Sequence, residues 1–216
     1  MVDKKSVLIT QDWAVKFLLQ KFREHQGDWL GKRGISWHIC VVARKSKDII
    51  QHQTMIHIVK NSTQESDTVG WIMEHVLQAI KQDHPEITKA YFRQDNAGCY
   101  HRATFLTACP QMSSNTGILI KRVDFRDPQG GKGAYDWKAA TVKAHVRRYI
   151  NDGHDVETAE DFKSTILSHR GLSGVRVALA DNPQYRHSVQ GKWEGISSLN
   201  NFSFDKDGQN LSLIHI

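Results

Sequence analysis

The sequence predicts one α/β domain, and three observations predict it. Strand-type runs fill the first 60 residues, helix-type repeats dominate the remainder, and the composition suits a packed core. At 216 residues a single core buries roughly 70% of the surface that the unfolded chain exposes, so metals or disulfides are not required for folding. Hydrophobic residues make up 39% of the chain and there are six tryptophans, which argues for a packed interior and against disorder. The longest apolar run, residues 39–43, is far short of the roughly 18 residues of a membrane span. Lys4 and Lys5 are followed closely by Gln11 and Asp12, which is no secretory h-region. Cys40, Cys99 and Cys109 show neither CxxC nor HxxxH spacing and read as reduced, intracellular thiols; Cys99 and His101 read as structural rather than as metal ligands.

The elements follow in order. Val7, Ile9, Trp13, Val15 and Phe17 share one face of a period-2 pattern with Asp12 on the other, which predicts a first strand, although Trp13, Phe17 and Leu18 would also suit a helix. Gly34 opens a second strand over residues 35–43, and Ile50, Ile56 and Ile58 recur in a third over 49–59. Ser62, Thr63, Ser66 and Asp67 offer N-cap chemistry to a helix in which Val69, Ile72, Met73, Val76, Leu77 and Ile80 repeat at helical spacing and which ends near Pro85. Residues 89–94 form a fourth strand, broken by Asp95, Asn96, Ala97 and Gly98. A second helix is expected over residues 100–109 and a fifth strand over 118–125. The loop 127–133 must be irregular, because Pro128 fixes φ and its three glycines permit left-handed geometry. A long helix comes next, with Tyr135, Ala139, Val142, Val146, Tyr149 and Ile150 on one stripe and Gly153 beyond its end. The expected order is βββαβαβα.

Charge is unevenly spread. The formal net charge is +6 and the pI about 9.2, a hint toward phosphate-rich partners. Between residues 132 and 148 lie Lys132, Lys138, Lys143, Arg147 and Arg148 against the single acid Asp136, whereas 152–161 holds five acids and no Lys or Arg. The basic segment is the better candidate partner surface, although a charge run is most often a solvated helix face. At about 100° per residue, Lys143 and Arg147 return to within roughly 20° of the direction of Asp136, so one helix face carries an acid followed by cations.

Asp12 in the first strand, Asp95 at the end of the fourth and Asp136 at the entry to the long helix form the acidic constellation. Strand ends and helix starts bordering one sheet edge can converge. Crowded carboxylates repel unless divalent cations compensate them, and two such ions can activate a nucleophile and stabilise the leaving oxygen of a phosphodiester. Taken singly, each aspartate also has an ordinary structural role: exposed strand residue, turn former or first-turn helix residue.

The string RQDNAGCYH, residues 93–101, resembles the strand-end motif around the second acidic residue of retroviral integrases and cut-and-paste transposases. DPQGGKGAYDWKAATVK, residues 127–143, resembles the segment leading into their third-acid helix. More closely, both strings resemble uncharacterised, transposon-derived animal proteins in which a GKG loop precedes an Asp. The resemblance spans about residues 5–150. It implies an RNase H-like fold, a mixed five-stranded sheet flanked by helices, with a triad of Asp12, Asp95 and Asp136 as catalytic and metal-binding residues. The third position holds Asp where Glu is usual, which leaves Asp124 and Asp127 as competitors. The resemblance further implies two Mg²⁺ or Mn²⁺ ions, DNA as partner, a nuclear location, no membrane, and room for a homo-oligomer. The implied activity is transposase or integrase cleavage and transfer of DNA strands; the alternative is an inactive, transposon-derived DNA- or protein-binding domain. Lys132, Lys138, Lys143 and Arg147 are expected to contact phosphates, and Asn96 to orient a metal-bound water or the substrate, or simply to form the turn.

The expected domains are a core over residues 1–180 and a truncated extension over 181–210 containing Trp193 and the segment 196–202. Residues 211–216, Leu-Ser-Leu-Ile-His-Ile, match the translation of a sequencing adapter; they are set apart from fold reasoning, and the natural chain is expected to continue past Asn210.

Overall fold

A computed structural model describes residues 3–30, 32–60, 64–126, 133–185, 199–205 and 211–213. Its first five strands are β1 (Ser6–Trp13), β2 (Ser36–Ser46), β3 (Ile49–Lys60), β4 (Lys89–Gln94) and β5 (Leu119–Phe125). Helices α1 (Ser66–Asp83) and α2 (Ala103–Thr116) flank β4, while α3 (Ala134–Asn151) and α4 (Ala159–Leu167) follow β5. Three further strands come later: β6 (Val175–Asp181), β7 (Asn201–Phe204) and β8 (Leu211–Leu213). The sheet order is β6-β3-β2-β1-β4-β5-β7-β8.

At its centre β1, β2 and β3 form an antiparallel meander, and β4 and β5 lie parallel to β1. This is the RNase H-like arrangement, β3-β2-β1-β4-β5 with β2 reversed. The expected sheet of five strands is therefore the middle of a larger one, which among the described residues has eight; the eighth, β8, is formed by residues 211–213 of the segment that the sequence reading set apart from the fold. Strand β6 adds parallel to β3 on one edge, and β7 and β8 add antiparallel beyond β5 on the other. Strand β6 runs across the expected boundary at residue 180. Phe202 and Phe204 of β7 are buried in the core, so part of the expected extension belongs to the sheet.

Alternation along each strand splits the interior into two cores. Val7, Ile9, Cys40, Val42 and Met55 face one layer with the apolar stripes of α1 and α2. Trp37, Ile39, Val41, Ile56 and Ile58 face the other, with Tyr135, Val142, Val146 and Ile150 of α3 and Phe162 and Ile166 of α4. The α1 stripe is the predicted one: Val69, Ile72, Met73, Val76, Leu77 and Ile80 are all buried. Gly117, at φ +67°, closes α2 by donating its N–H to Ser113 O, a conformation that costs glycine no Cβ clash.

Three sequence expectations need correction. The first strand stops at Trp13. Val15 beyond it is 76% exposed, and Phe17 forms an isolated bridge with Ile35 and stacks on Phe162 in the α3/α4 core. The second helix begins at Ala103 rather than residue 100 and runs on to Thr116, because Tyr100 is taken up in a turn whose N–H donates to Ala97 O. Ile50 shares no core with Ile56 and Ile58; it lies beside the β2–β3 turn and is exposed.

Candidate active site

Asp12 owes its position to the parity of β1. Val7, Ile9 and Gln11 point into the α1/α2 layer, so Asp12 points to the opposite side, toward α3. Strands β1 and β4 are parallel, with Gln11 opposite Gln94. One step further along that register sets Asp12 beside Asp95, immediately past the end of β4. The two acids thus leave adjacent strands at the same edge, on the same side of the sheet. Asp12 accepts a hydrogen bond from the Trp13 N–H at 2.8 Å, and Asp95 accepts one from the Asn96 N–H at 2.8 Å.

Asp136 comes from the first turn of α3. Its carboxylate accepts from the Gly133 N–H at 2.6 Å, which satisfies one of the free donors at the helix start and anchors the acid there. Gly133 is needed for close approach: a Cβ there would lie 2.6 Å from Arg126 Nη1 and 2.8 Å from the Tyr135 ring. Arg126 in turn donates to the Tyr135 hydroxyl at 3.0 Å and stands 5.9 Å from that ring's centroid. A cavity of about 510 Å³ opens here, lined by Asp12, Tyr135, Asp136, Trp137, Ala140 and Lys143, among others.

The electrostatics of Asp12 report the crowding directly. Burial, and then the neighbouring charges of Asp95 and Asp136, push its carboxyl up to about 7, against a smaller opposing pull from the Trp13 N–H and Arg126. Three carboxylates, two of which act electrostatically on Asp12 together with the Arg126 cation, offer hard oxygen donors. Such a set suits Mg²⁺ or Mn²⁺ and not a soft metal.

Of the residues singled out in the sequence, the structure brings together Asp12, Asp95, Asp136 and Lys143. Arg147 is exposed one helical turn beyond Lys143 on the same face of α3. Lys138 is not on that face: two residues past Asp136 it stands about 200° around the helix, and it does not line the cavity. Lys132 and Asp127 lie outside the described residues. Asp124 is paired with Arg122 on β5. Asn96 is engaged within the protein: its side-chain oxygen contacts His101 Nδ1 and its amide donates to Asn200 at 3.5 Å. Sequence reading missed Arg126, Tyr135 and Trp137 as site residues. Arg126 could have been found as the residue directly after β5, at the same sheet edge as Asp95; Trp137, 71% exposed beside Asp136, could not.

The family model for a domain of unknown function, DUF8701, matches residues 1–199. Among curated proteins the sequence finds no match. Solved structures that match include the human cytomegalovirus terminase nuclease domain, at 10% identity over 83% of this chain and 66% of that one, with a TM-score of 0.33. The same domain soaked with Mn matches at 9% identity over 90% and 70%, with a TM-score of 0.36. The chain thus spans about two thirds of the length of the first of these domains.

Proposed function

We propose that this chain, which belongs to the DUF8701 family, is a divalent-metal-dependent phosphodiester-cleaving core that acts on DNA in the manner of transposases and integrases. The observation that carries this reading is that Asp12 and Asp136 line one open cavity, while Asp95, one register step past the end of β4, adds its charge to Asp12. Bound Mg²⁺ or Mn²⁺ would activate the attacking oxygen and stabilise the leaving one. The chain's own residues then have separable tasks. The three aspartates act as ligands rather than as general bases, and Asp12 has to shed its proton to serve. The hydrogen bonds to Asp12, Asp95 and Asp136 from backbone N–H groups fix the carboxylates in place before any ligand arrives. Lys143 and Arg147 continue from Asp136 along α3, where a duplex with its scissile phosphate at the acids would lay its backbone.

An inactive DNA-binding relic is the alternative, and an Asp12 turned away from the other acids would favour it. Asp12 instead shares their charge, which supports the enzyme. The test is a labelled duplex incubated with the full chain and Mn²⁺. Cleavage that disappears in Asp95→Asn supports the proposal, and longer joined products add strand transfer to it. Tight binding with no cut strand in wild type would establish the relic.

A further inference from the structure

We propose that His38, Cys40 and His57 form a buried zinc site on the opposite face of the sheet from the acidic trio, a second metal centre independent of the first. The cluster follows from strand parity and register. His38 and Cys40 are two residues apart on β2, so both project into the α1/α2 layer, and His57 on β3 is the direct antiparallel partner of His38. One ligand atom from each of the three lies within 4.8 Å of the other two.

The distances suit the ion. With Zn–S near 2.3 Å and Zn–N of 2.0–2.1 Å, a tetrahedral N–S edge is about 3.6 Å, and His38 Nδ1 stands 3.5 Å from Cys40 Sγ. The N–N edge would be about 3.4 Å, so bringing in His57 needs an imidazole shift on the order of 1 Å. Gln11 Oε1, 3.4 Å from the sulfur, lies beside the fourth position, and its amide is itself held by Gln94 at 2.5 Å.

Unpartnered atoms are the second observation. All three side chains are at most 1% exposed, yet His38 Nε2 and His57 Nδ1 have no hydrogen-bond partner among the described residues. A buried polar atom left without a partner destabilises the fold, and one of these two, Nδ1, is the atom a metal would use on His57. His57 Nε2 lies 3.0 Å from His75 Nδ1 on α1, and His75 stacks on Trp71. In the tautomer that suits a metal, His57 donates this second N–H to His75 and leaves its lone pair on Nδ1 free, with the His75 imidazole in the place that a carboxylate or carbonyl takes behind other ligating histidines. Burial holds His38 near 3 and His57 well below the ordinary imidazole range, so both rings are neutral ligands at pH 7. The same burial pushes the Cys40 thiol far up. Binding would therefore release one proton, from Cys40, as the Zn–S bond forms. The mixed imidazole and thiolate set selects zinc, whereas the acidic trio selects Mg²⁺ or Mn²⁺. The ion would clamp β2 to β3 and, through His75, hold α1 on the sheet.

The test is zinc content by plasma mass spectrometry on the full chain, purified without chelator and freed of any affinity tag, followed by refolding with Co²⁺ as a spectroscopic probe. The expected result is about one zinc per chain in wild type and in Asp95→Asn, and a thiolate-to-cobalt charge-transfer band with tetrahedral d–d absorption after refolding. Cys40→Ser should remove the charge-transfer band, and His57→Gln should lower zinc content at least tenfold. Should either variant fail to fold, the wild-type measurements decide alone: folded protein with no zinc and no cobalt–thiolate band overturns the proposal. Zinc that is lost in Asp95→Asn but kept in Cys40→Ser would place the ion at the acidic trio, and would overturn it equally.

Discussion

Replacing Asp12 by Asn should stabilise the protein when Mg²⁺ and Mn²⁺ are absent, because the acidic trio is strained by its own charge. The Asp12 carboxyl rises from an ordinary 3.8 to about 7 in the fold, first through burial and then through Asp95 and Asp136. At about 1.4 kcal/mol for each tenfold change in proton affinity, that rise corresponds to on the order of 4 kcal/mol. Asp12 is only partly buried, and solvent screening brings the expected figure to roughly 2–3 kcal/mol. The sign follows from linkage. A carboxyl whose proton is held more tightly in the fold than in the unfolded chain favours folding when protonated, so its contribution is complete below about pH 4 and is lost as pH rises through about 7. Wild type and Asp12→Asn should therefore have similar stability near pH 4, separate between about pH 4 and 7, and differ by the full amount above pH 7. At pH 8 the variant should melt roughly 5–10 °C higher, taking about 2–4 °C per kcal/mol for a chain of this size. Differential scanning calorimetry across pH 4–8 measures this. Added Mn²⁺ should then raise the melting temperature of wild type and leave the variant unmoved. A variant less stable than wild type at pH 8 would mean that Asp12 is not crowded by the other two acids, and the charge strain assigned to the trio would fall.

The remaining expectations are more local. Lys143→Ala and Arg147→Ala should weaken DNA binding for all sequences alike and each flatten the slope of log affinity against log salt by about 0.9; an unchanged slope in the double substitution would make this face ordinary solvated surface. Gly133→Ala should cost about 1–3 kcal/mol in urea unfolding, because the new Cβ meets the Tyr135 ring at 2.8 Å and displaces Arg126. A neutral result there would show that the start of α3 has slack. Phe202→Ala should destabilise by about 3–5 kcal/mol, since Phe202 is fully buried with its ring 5.7 Å from that of Phe125; a change below about 1 kcal/mol would detach β7 from the core.

The central fold was legible because its elements carry clear periods. The apolar repeat of α1, the apolar run of β2, Ile56 and Ile58 on β3 and the apolar stripe of α3 each specify their own structure locally. The outer parts were missed. Strand β6 was passed over although Val175, Val177 and Leu179 alternate toward the α3/α4 core, and β7, with four residues, is too short to show a period. Helix α4 hid in the acidic stretch, where Asp161, read as part of a charge run, closes a capping box with Thr158. Phe17 was assigned to the first strand because apolar spacing cannot tell a continuing strand from a chain that crosses to the other core.

The candidate site divides in the same way. Asp95 and Asp136 could be chosen from sequence because the end of the fourth strand and the start of the long helix are recognisable, whereas Asp12 was chosen by its place within a first strand expected to run on to Phe17. Lys138 was overcounted because net charge ignores helix direction. The cluster of His38, Cys40 and His57 passed unseen because its spacing is spatial: the β2–β3 register, and not any sequence motif, places His57 against His38.

The proposed activity stands on the three aspartates holding divalent cations together. Isothermal titration of Mn²⁺ into the full chain and into Asp95→Asn at pH 8, where Asp12 is ionised in most molecules, measures this without recourse to DNA. Wild type should bind saturably, and the variant should show at least a tenfold weaker Kd, about 1.4 kcal/mol. Equal affinity in the two proteins would contradict the proposal, for it would remove Asp95 from any metal site.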